Sequence, residues 1–379
     1  MVEQVPAMRR RRRWPLIFPA IAAGWLLAEI VIAAIGAWVS PAPLAALRRV
    51  YRPHPYRVYA LIPGSRSKAG HFTINSQGFR GPEIEPCKPS GTVRIACLGD
   101  STTFGEAATA DDHTWPARLE RRLRERYVKP GGQLSGIEVI NAGVPGYTSL
   151  ESLIHFETWV LDYQPDIAIF DHGLNDAVFM ACFRDFSSEY THARKVFEIP
   201  RPQLWEHSLL LSSLFPARRT IANPYWSDRR PSQAEWLDRL TLTDPQRPAV
   251  DEAEQRHCFR PERIAVFARN VRNFVFVARG QGVVPVLATV VYAPQAGFFA
   301  DVVGQINESL RKVATELSVP CVDLAREMPW SAEAFVDASQ PRDGPEGLER
   351  AGRIFADELI RQKLVERAAA GKPAAGNQR

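Results

Sequence analysis

The chain has few cysteines, and none of them has the spacing of a metal ligand. Five are present among 379 residues, without a Cys-x-x-Cys pair or a His/Cys cluster of zinc spacing. A phosphate-binding Gly-x-x-x-x-Gly-Lys loop is also missing. The sequence therefore implies no metal and no other cofactor. Cys182 and Cys258 flank a long insertion, which makes them candidates for a disulfide, and whether they pair stays open at this point.

Outside one short run of arginines, the chain also has no marked excess of positive or negative charge. The net charge of +5 equals that of the run Arg9 to Arg13, and the remainder of the chain is close to balanced. No basic stripe alternates with aromatic residues, as nucleic-acid binding would require. We therefore expect no nucleic-acid partner.

Residues 15–39 form a long apolar run whose only charge is Glu29. A helix of this length would span a hydrocarbon core of about 30 Å, and Trp14 and Trp38 lie at its two ends. The preceding arginines favour the cytoplasm, so the chain after residue 40 would face outward. The alternative is a cleaved signal peptide, although the run exceeds the roughly 7–15 apolar residues of such signals. We predict a retained single-pass signal anchor in the cytoplasmic (inner) membrane, with the following domain periplasmic or extracellular.

Strand and helix patterns alternate from residue 91 onward. The predicted elements, in chain order, are strand 93–98, helix 114–127, strand 137–140, helix 149–163, strand 167–170, helix 264–279, strand 283–292, helix 306–317, strand 320–324 and helix 345–366. This alternation predicts an α/β fold with three layers (α/β/α) and a central parallel sheet. Ligands in such folds bind at the carboxyl ends of the strands.

Composition divides the chain into segments of different character. Residues 178–260 interrupt the alternation with many aromatic residues, prolines and arginines, and loops of such length are often lids or binding surfaces. The predicted organisation is a basic cytoplasmic N-terminus 1–14, a transmembrane signal anchor 15–39, a linker and packing segment 40–90, a main domain 91–366 with a lid-like insertion 178–260, and a disordered tail 367–379.

Three loops that follow predicted strands carry residues suited to acyl transfer. Ser101 ends a Gly-Asp-Ser turn, Gly143 follows the second strand, and Asn175 follows the third. A serine on a rigid strand end can act as a nucleophile, while backbone N–H groups and an asparagine amide can hold an oxyanion. Taken singly, each residue also suits a simple turn or helix cap. Their order along the chain, each after a strand, favours a shared site.

These motifs resemble those of the SGNH/GDSL family of ester hydrolases and acyltransferases, over roughly residues 91–365. The resemblance implies a flavodoxin-like α/β/α fold in which Ser101 is the nucleophile and Gly143 and Asn175 belong to the oxyanion hole. The apolar N-terminal segment and the stretch Asn75 to Gly81 (Asn-Ser-Gln-Gly-Phe-Arg-Gly) are similar to those of membrane-anchored bacterial members. Such members often act on cell-envelope or exported polysaccharide.

The chain departs from the family at its last motif, Asp-x-x-His. Asp337 matches the aspartate, but the histidine position holds Gln340, or Arg342 when the register is counted back from Gly347. Neither side chain can take a proton from serine near neutral pH. No histidine follows His257.

Other histidines could act as the base instead. His172 is the candidate substitute because it lies at the end of the third strand, although it could equally be structural there. His113 is expected to be structural, and a lid could bring His192, His207 or His257 over the serine.

The resemblance implies a serine ester hydrolase or acyltransferase acting outside the cytoplasmic membrane, on O-acylated cell-envelope or exported polysaccharide. The expected partners are an acylated small molecule or polysaccharide, and the membrane through the N-terminal helix. The missing histidine supports an alternative, in which the fold is catalytically impaired and binds a glycan or a protein partner.

Overall fold

The computed structural model of the chain describes residues 14–39, 50–54, 56–67, 70–183, 186–190 and 252–370. The chain divides into two compact units. In the first, the described part is the helix α1 (Trp14–Val39). The second contains the sheet and all the candidate site residues that are described.

A parallel sheet of five strands forms the centre of the second unit. Its strands are β3 (Thr92–Gly99), β4 (Gly136–Asn141), β5 (Ile167–Asp171), β6 (Val284–Ala288) and β7 (Cys321–Val322). Their spatial order is β4-β3-β5-β6-β7, and every neighbouring pair is parallel. This is the flavodoxin-like order 2-1-3-4-5, in which the crevice for a ligand lies where the order reverses. The predicted α/β fold with a central parallel sheet is confirmed.

Helices cover both faces of this sheet. Their bounds are α2 (Ser101–Phe104), α3 (Trp115–Tyr127), α4 (Ser149–Thr158), α5 (Leu174–Ala181), α6 (Glu252–Cys258), α7 (Ile264–Gly280), α8 (Phe298–Glu316), α9 (Leu324–Glu327), α10 (Leu348–Arg361) and α11 (Leu364–Ala370). Side chains of β3 alternate between the two cores. Ile95 and Cys97 face the core of α3 and α10, while Ala96 and Leu98 face that of α4, α7 and α8.

Several predicted boundaries differ from the structure: the helix predicted over 306–317 begins at Phe298, and the helix predicted over 149–163 ends at Thr158. The strand predicted over 283–292 ends at Ala288, because only its first half pairs with β5. The helix predicted over 345–366 is broken at Lys363, whose φ of 54° interrupts it. The tail predicted to be disordered from residue 367 is helical up to Ala370, consistent with the high helix propensity of its alanines.

Several predictions concern the N-terminus and the insertion. A helix does cover the predicted segment 15–39, yet among the described residues no helix has the length and apolar character needed to cross a membrane. The structure thus gives no support to the predicted transmembrane anchor. The basic segment 1–13, most of the lid-like insertion (191–251) and the tail 371–379 lie outside the described residues.

No disulfide links the five cysteines, all of which are described. Burial, followed by the neighbouring Cys258, raises the pKa of the Cys182 thiol well above its usual range. The candidate pair Cys182 and Cys258 is therefore not joined.

A two-stranded hairpin precedes the sheet and leads into the segment Asn75 to Gly81. The hairpin pairs β1 (Tyr51–His54) with β2 (Val58–Leu61). The Asn75 side chain closes a turn by accepting from the backbone N–H of Phe79 at 2.8 Å. Phe79 is buried in the core beside α4, so this segment packs against the domain as expected.

Candidate active site

Ser101 is the first residue of the short helix α2, which follows the strand β3 after a single residue, Asp100. The Asp100 side chain caps this helix by accepting from the backbone N–H of Thr102 at 2.9 Å. Gly99 has no room for a side chain, because an added Cβ would lie 2.0 Å from Thr103 Oγ1. Gly105 ends the helix in the left-handed conformation, with φ 83°. These constraints present a half-buried Ser101 at the carboxyl edge of the sheet.

Gln340 occupies the position next to this serine. Its Nε2 donates to Ser101 Oγ at 2.7 Å, and its side chain is buried. Gln340 Oε1 is buried without a hydrogen-bond partner among the described residues. If the amide were turned end for end, Ser101 would donate to Oε1 instead. In neither orientation can an uncharged amide accept the serine proton.

The structure also separates the two registers that the sequence left open. The Arg342 guanidinium points away from Ser101 and donates to the carbonyl oxygens of Ala332 and Phe335. Arg342 therefore stabilises the loop, and Gln340 is the residue in contact with Ser101.

Asp337 braces the loop that carries Gln340. Its Oδ1 accepts from the backbone N–H groups of Ser339 and Gln340, both at 2.7 Å. The aspartate therefore orients the glutamine through the main chain.

Gly143 lies where the second loop packs against α2. A Cβ at this position would lie 2.3 Å from the backbone nitrogen of Phe104. The Gly143 N–H donates to Asn141 Oδ1 at 3.1 Å, so it is already engaged. It could reach an oxyanion only if this bond were exchanged.

Asn175 lies below the serine, in the first turn of α5, and is buried. Its Nδ2 donates to Asp100 Oδ2 at 3.1 Å and to the carbonyl oxygen of Tyr147 at 3.0 Å. Both amide hydrogens are therefore used within the protein. Gln340 thus contacts Ser101 directly, while Asn175 is joined to the site through Asp100, the residue before Ser101. The candidate oxyanion donors of Gly143 and Asn175 are satisfied within the protein.

A pair of buried carboxyl groups accepts hydrogen bonds from the two threonines that follow Ser101 in α2, and the sequence did not single out one of these groups, Asp171. Asp171 ends β5 and accepts from Thr103 Oγ1 at 2.9 Å. Burial first, and then the charge of Asp100, raise its pKa to about 7. Burial also raises the pKa of Asp100 to about 6. An aspartate at the end of a wholly apolar strand was the signal available in the sequence.

His172 does not reach Ser101. It is completely buried, packs against the ring of Phe170, and neither ring nitrogen has a hydrogen-bond partner among the described residues. Burial lowers its pKa to about 3. The geometry therefore does not support His172 as the substitute base.

The remaining histidine candidates also lie elsewhere or fall outside the description. His113 Nδ1 lies 2.8 Å from Asp343 Oδ2, which links the loop before α3 to the loop after Gln340. His257 is exposed on α6, while His192 and His207 lie outside the described residues.

Comparison with known proteins gives a family and a set of similar folds. The model of the GDSL-like lipase/acylhydrolase family matches residues 97–346. A putative lipolytic protein of the G-D-S-L family from Desulfitobacterium hafniense is 15% identical, with 70% of this chain and 99% of that chain covered and a TM-score of 0.41. No curated protein matches the chain.

Two further solved structures are similar at the same level. A lipase/acylhydrolase from Enterococcus faecalis is 16% identical, with coverage of 71% and 96% and a TM-score of 0.42. A catalytic mutant of an acetylxylan esterase from Geobacillus stearothermophilus is 14% identical, with coverage of 71% and 93% and a TM-score of 0.40.

Proposed function

The chain belongs to the GDSL-like lipase/acylhydrolase family, and we propose that it binds acylated ligands at Ser101 while its ester chemistry is held back by Gln340. The observation that carries this proposal is the 2.7 Å hydrogen bond from Gln340 Nε2 to Ser101 Oγ. The position that a general base would occupy next to the serine is therefore taken by an amide donor.

The size of the expected deficit follows from the role of the missing base. A serine hydroxyl is a weak nucleophile until a base takes its proton. A positioned general base contributes about 10²- to 10⁴-fold to the rate. A site without one can still retain about 10³- to 10⁴-fold catalysis over water, from ligand binding and oxyanion stabilisation. We therefore expect slow turnover at most.

A second candidate function is that of a fully active serine ester hydrolase or acyltransferase. The half-buried position of Ser101 at the start of α2 favours it. Ser101 Oγ would attack the acyl carbonyl, the ester C–O bond would break, and the alcohol would leave. Water or a second hydroxyl would then take the acyl group from the serine. In this candidate the serine proton passes to a group on the ligand or to water, because Gln340 cannot accept it.

The proposed ligand is an O-acylated polysaccharide of the cell envelope or of exported material, and the proposed location is outside the cytoplasmic membrane. Both rest on the sequence: its resemblance to anchored bacterial family members, and the arginine run followed by the apolar segment 15–39. Segments of this kind direct a chain to the membrane either as a retained anchor or as a cleaved signal.

The decisive experiment restores the base. We expect Gln340→His to raise Ser101-dependent hydrolysis of p-nitrophenyl acetate by about 10²-fold or more, because an imidazole would then lie next to Ser101 Oγ. Gln281→His is the matched control, since Gln281 is an exposed residue after α7. It tests whether an added surface histidine alone hydrolyses the ester.

The outcomes separate the two candidates. Fast wild-type turnover that is lost in Ser101→Ala would favour the active enzyme. Retention of O-acetylated glycan by a wild type of low activity would favour the binding protein. If Gln340→His shows no Ser101-dependent activity and the wild type retains no acylated ligand, the proposed function is wrong.

A further inference from the structure

Arg80 is a buried arginine whose guanidinium is completely engaged by the protein. It lies in the segment Asn75 to Gly81, which the proposed function does not use, and only 3% of its surface is exposed. Its partners are Asp111 Oδ1 (2.9 Å from Nε), the carbonyl oxygens of Phe104 and Gly105 (3.0 and 2.6 Å from Nη1), and those of His71 and Ala110 (2.8 and 3.2 Å from Nη2).

Two of these partners belong to the helix that presents the serine. Phe104 is the last residue of α2 and Gly105 is its C-cap, whose N–H donates to the carbonyl oxygen of Ser101 at 2.9 Å. Arg80 Nη1 therefore binds the last carbonyl groups of a helix that begins with Ser101. A cation at this end of a helix also satisfies carbonyl groups that have no partner within the helix.

Arg80 is also joined to the loop of Gly143. Its backbone N–H donates to the carbonyl oxygen of Asn141 at 3.3 Å. Asn141 Nδ2 in turn donates to the same Phe104 carbonyl at 3.2 Å, and Asn141 Oδ1 accepts from the Gly143 N–H. Arg80 thus links the first and the second loop of the candidate site, the first through its guanidinium and the second through its backbone N–H.

The remaining contacts hold the chain that follows α2. Asp111 accepts from Arg80 Nε and also from the backbone N–H of Thr73. Burying a charged group away from water is costly unless all of its hydrogen-bond donors are satisfied. The donors of the Arg80 guanidinium are all satisfied. A planar fork with five donors can serve this divergent set of oxygens, whereas a lysine ammonium cannot.

We propose that Arg80 is a positioning residue for Ser101, so that the segment Asn75 to Gly81 holds the nucleophile in place. Arg80 acts through α2 and touches neither ligand nor reacting atoms. The proposal rests on the proposed function, because it takes Ser101 as the reacting residue.

The test compares two equally buried arginines. Arg94 lies near the start of β3, the opposite end from Ser101, and is fully buried. Its Nε donates to Glu138 at 2.8 Å, and its Nη1 donates to the carbonyl oxygen of Pro86. We therefore expect Arg94→Lys and Arg80→Lys both to lower the stability of the fold, and only Arg80→Lys to disturb Ser101.

The first measurement is ester hydrolysis in the Gln340→His protein. Adding Arg80→Lys should lower kcat by about 10- to 100-fold through misplacement of the nucleophile, with KM changed by about twofold or less. Adding Arg94→Lys should leave kcat within about twofold. Equal losses of kcat in the two variants at matched unfolding temperatures would overturn the proposal.

The second measurement does not depend on ester chemistry. The thiol of a Ser101→Cys variant would take the place of the hydroxyl beside Gln340, and the reactivity of a thiol depends on its exposure and surroundings. Its alkylation by iodoacetamide, followed by peptide mass spectrometry, should slow about threefold or more when Arg80→Lys is added. An unchanged rate would overturn the proposal, even if Gln340→His proves inactive and the proposed function fails.

A milder variant covers the case in which Arg80→Lys does not fold. Asp111→Asn removes the charged partner of Arg80, and the Asp111 side chain is 28% exposed, so the fold should tolerate it. The expected result is the same slowing of the Ser101→Cys thiol, to a smaller extent. A rate equal to that of the unaltered Ser101→Cys protein would count against the proposal.

Discussion

At the residue level, the buried carboxyl groups of Asp171 and Asp100 make the protein sensitive to pH. The carboxyl group of Asp171 is buried beside that of Asp100, and both have a raised pKa in the folded protein. Asp100 caps α2 and also accepts from Asn175. The protonation state of Asp100 therefore affects both α2, which carries Ser101, and α5, which carries Asn175.

The raised pKa of Asp171 predicts that stability falls as pH rises. The folded state binds the proton with a pKa of about 7, against a usual value of 3.8, so between these values the folded state holds more protons than the unfolded state. The slope of the free energy of unfolding with pH is then negative. One pKa unit corresponds to about 1.4 kcal/mol, and the loss between pH 4 and pH 7 should be a few kcal/mol.

Asp171→Asn should flatten this decline, because an amide cannot ionise and its oxygen can still accept from Thr103. The measurement is urea unfolding at pH 5 and pH 7.5. Asp162→Asn, a change at an exposed position in the 3-10 helix Val160–Tyr163, should keep the wild-type slope. An unchanged slope in Asp171→Asn would show that this carboxyl group is not the cause.

At the scale of elements, the site depends on close packing between the loop after β4 and the helix α2. Gly143 allows this approach, since its place against the Phe104 backbone leaves no room for a methyl group. The glycine motif therefore has a packing role in this structure, in addition to any role in holding an oxyanion.

Gly143→Ala should destabilise the protein by about 1–3 kcal/mol, the usual cost of overpacking. Gly304→Ala is the matched control in the helix α8, where an added Cβ meets nothing within 4 Å. That control should be neutral or stabilising by about 0.5–1 kcal/mol. Thermal unfolding of both variants tests this, and equal effects would contradict the packing argument.

At the scale of the whole molecule, the proposal concerns where the second unit works. The arginine run before the apolar segment 15–39 favours retention of the N-terminus in the cytoplasm and export of the remainder.

Fusion of a reporter after Arg379 tests this location. Alkaline phosphatase, which folds to an active form only in an oxidising compartment, should be active there. β-Galactosidase fused at the same position should be inactive. The opposite pair of results would place the second unit in the cytoplasm.

The α/β fold and the order of its loops could be predicted from the amino-acid sequence. Ser101, Gly143 and Asn175 each follow an apolar run, and the carboxyl ends of parallel strands meet at one edge of a sheet. Such patterns are local, so they can be read without knowledge of distant contacts.

Which distant residues meet at that edge depends on how the chain packs in three dimensions. Gln340 contacts Ser101 although 239 positions separate them in the chain. The fold of one loop places Gln340, and not Arg342, next to the serine. Burial of His172, the pairing of Asp171 with Asp100 and the contacts of Arg80 with α2 follow from packing between segments far apart in the sequence. Solvent exposure and the direction of a side chain arise only when these segments come together, which is why no local pattern predicted them.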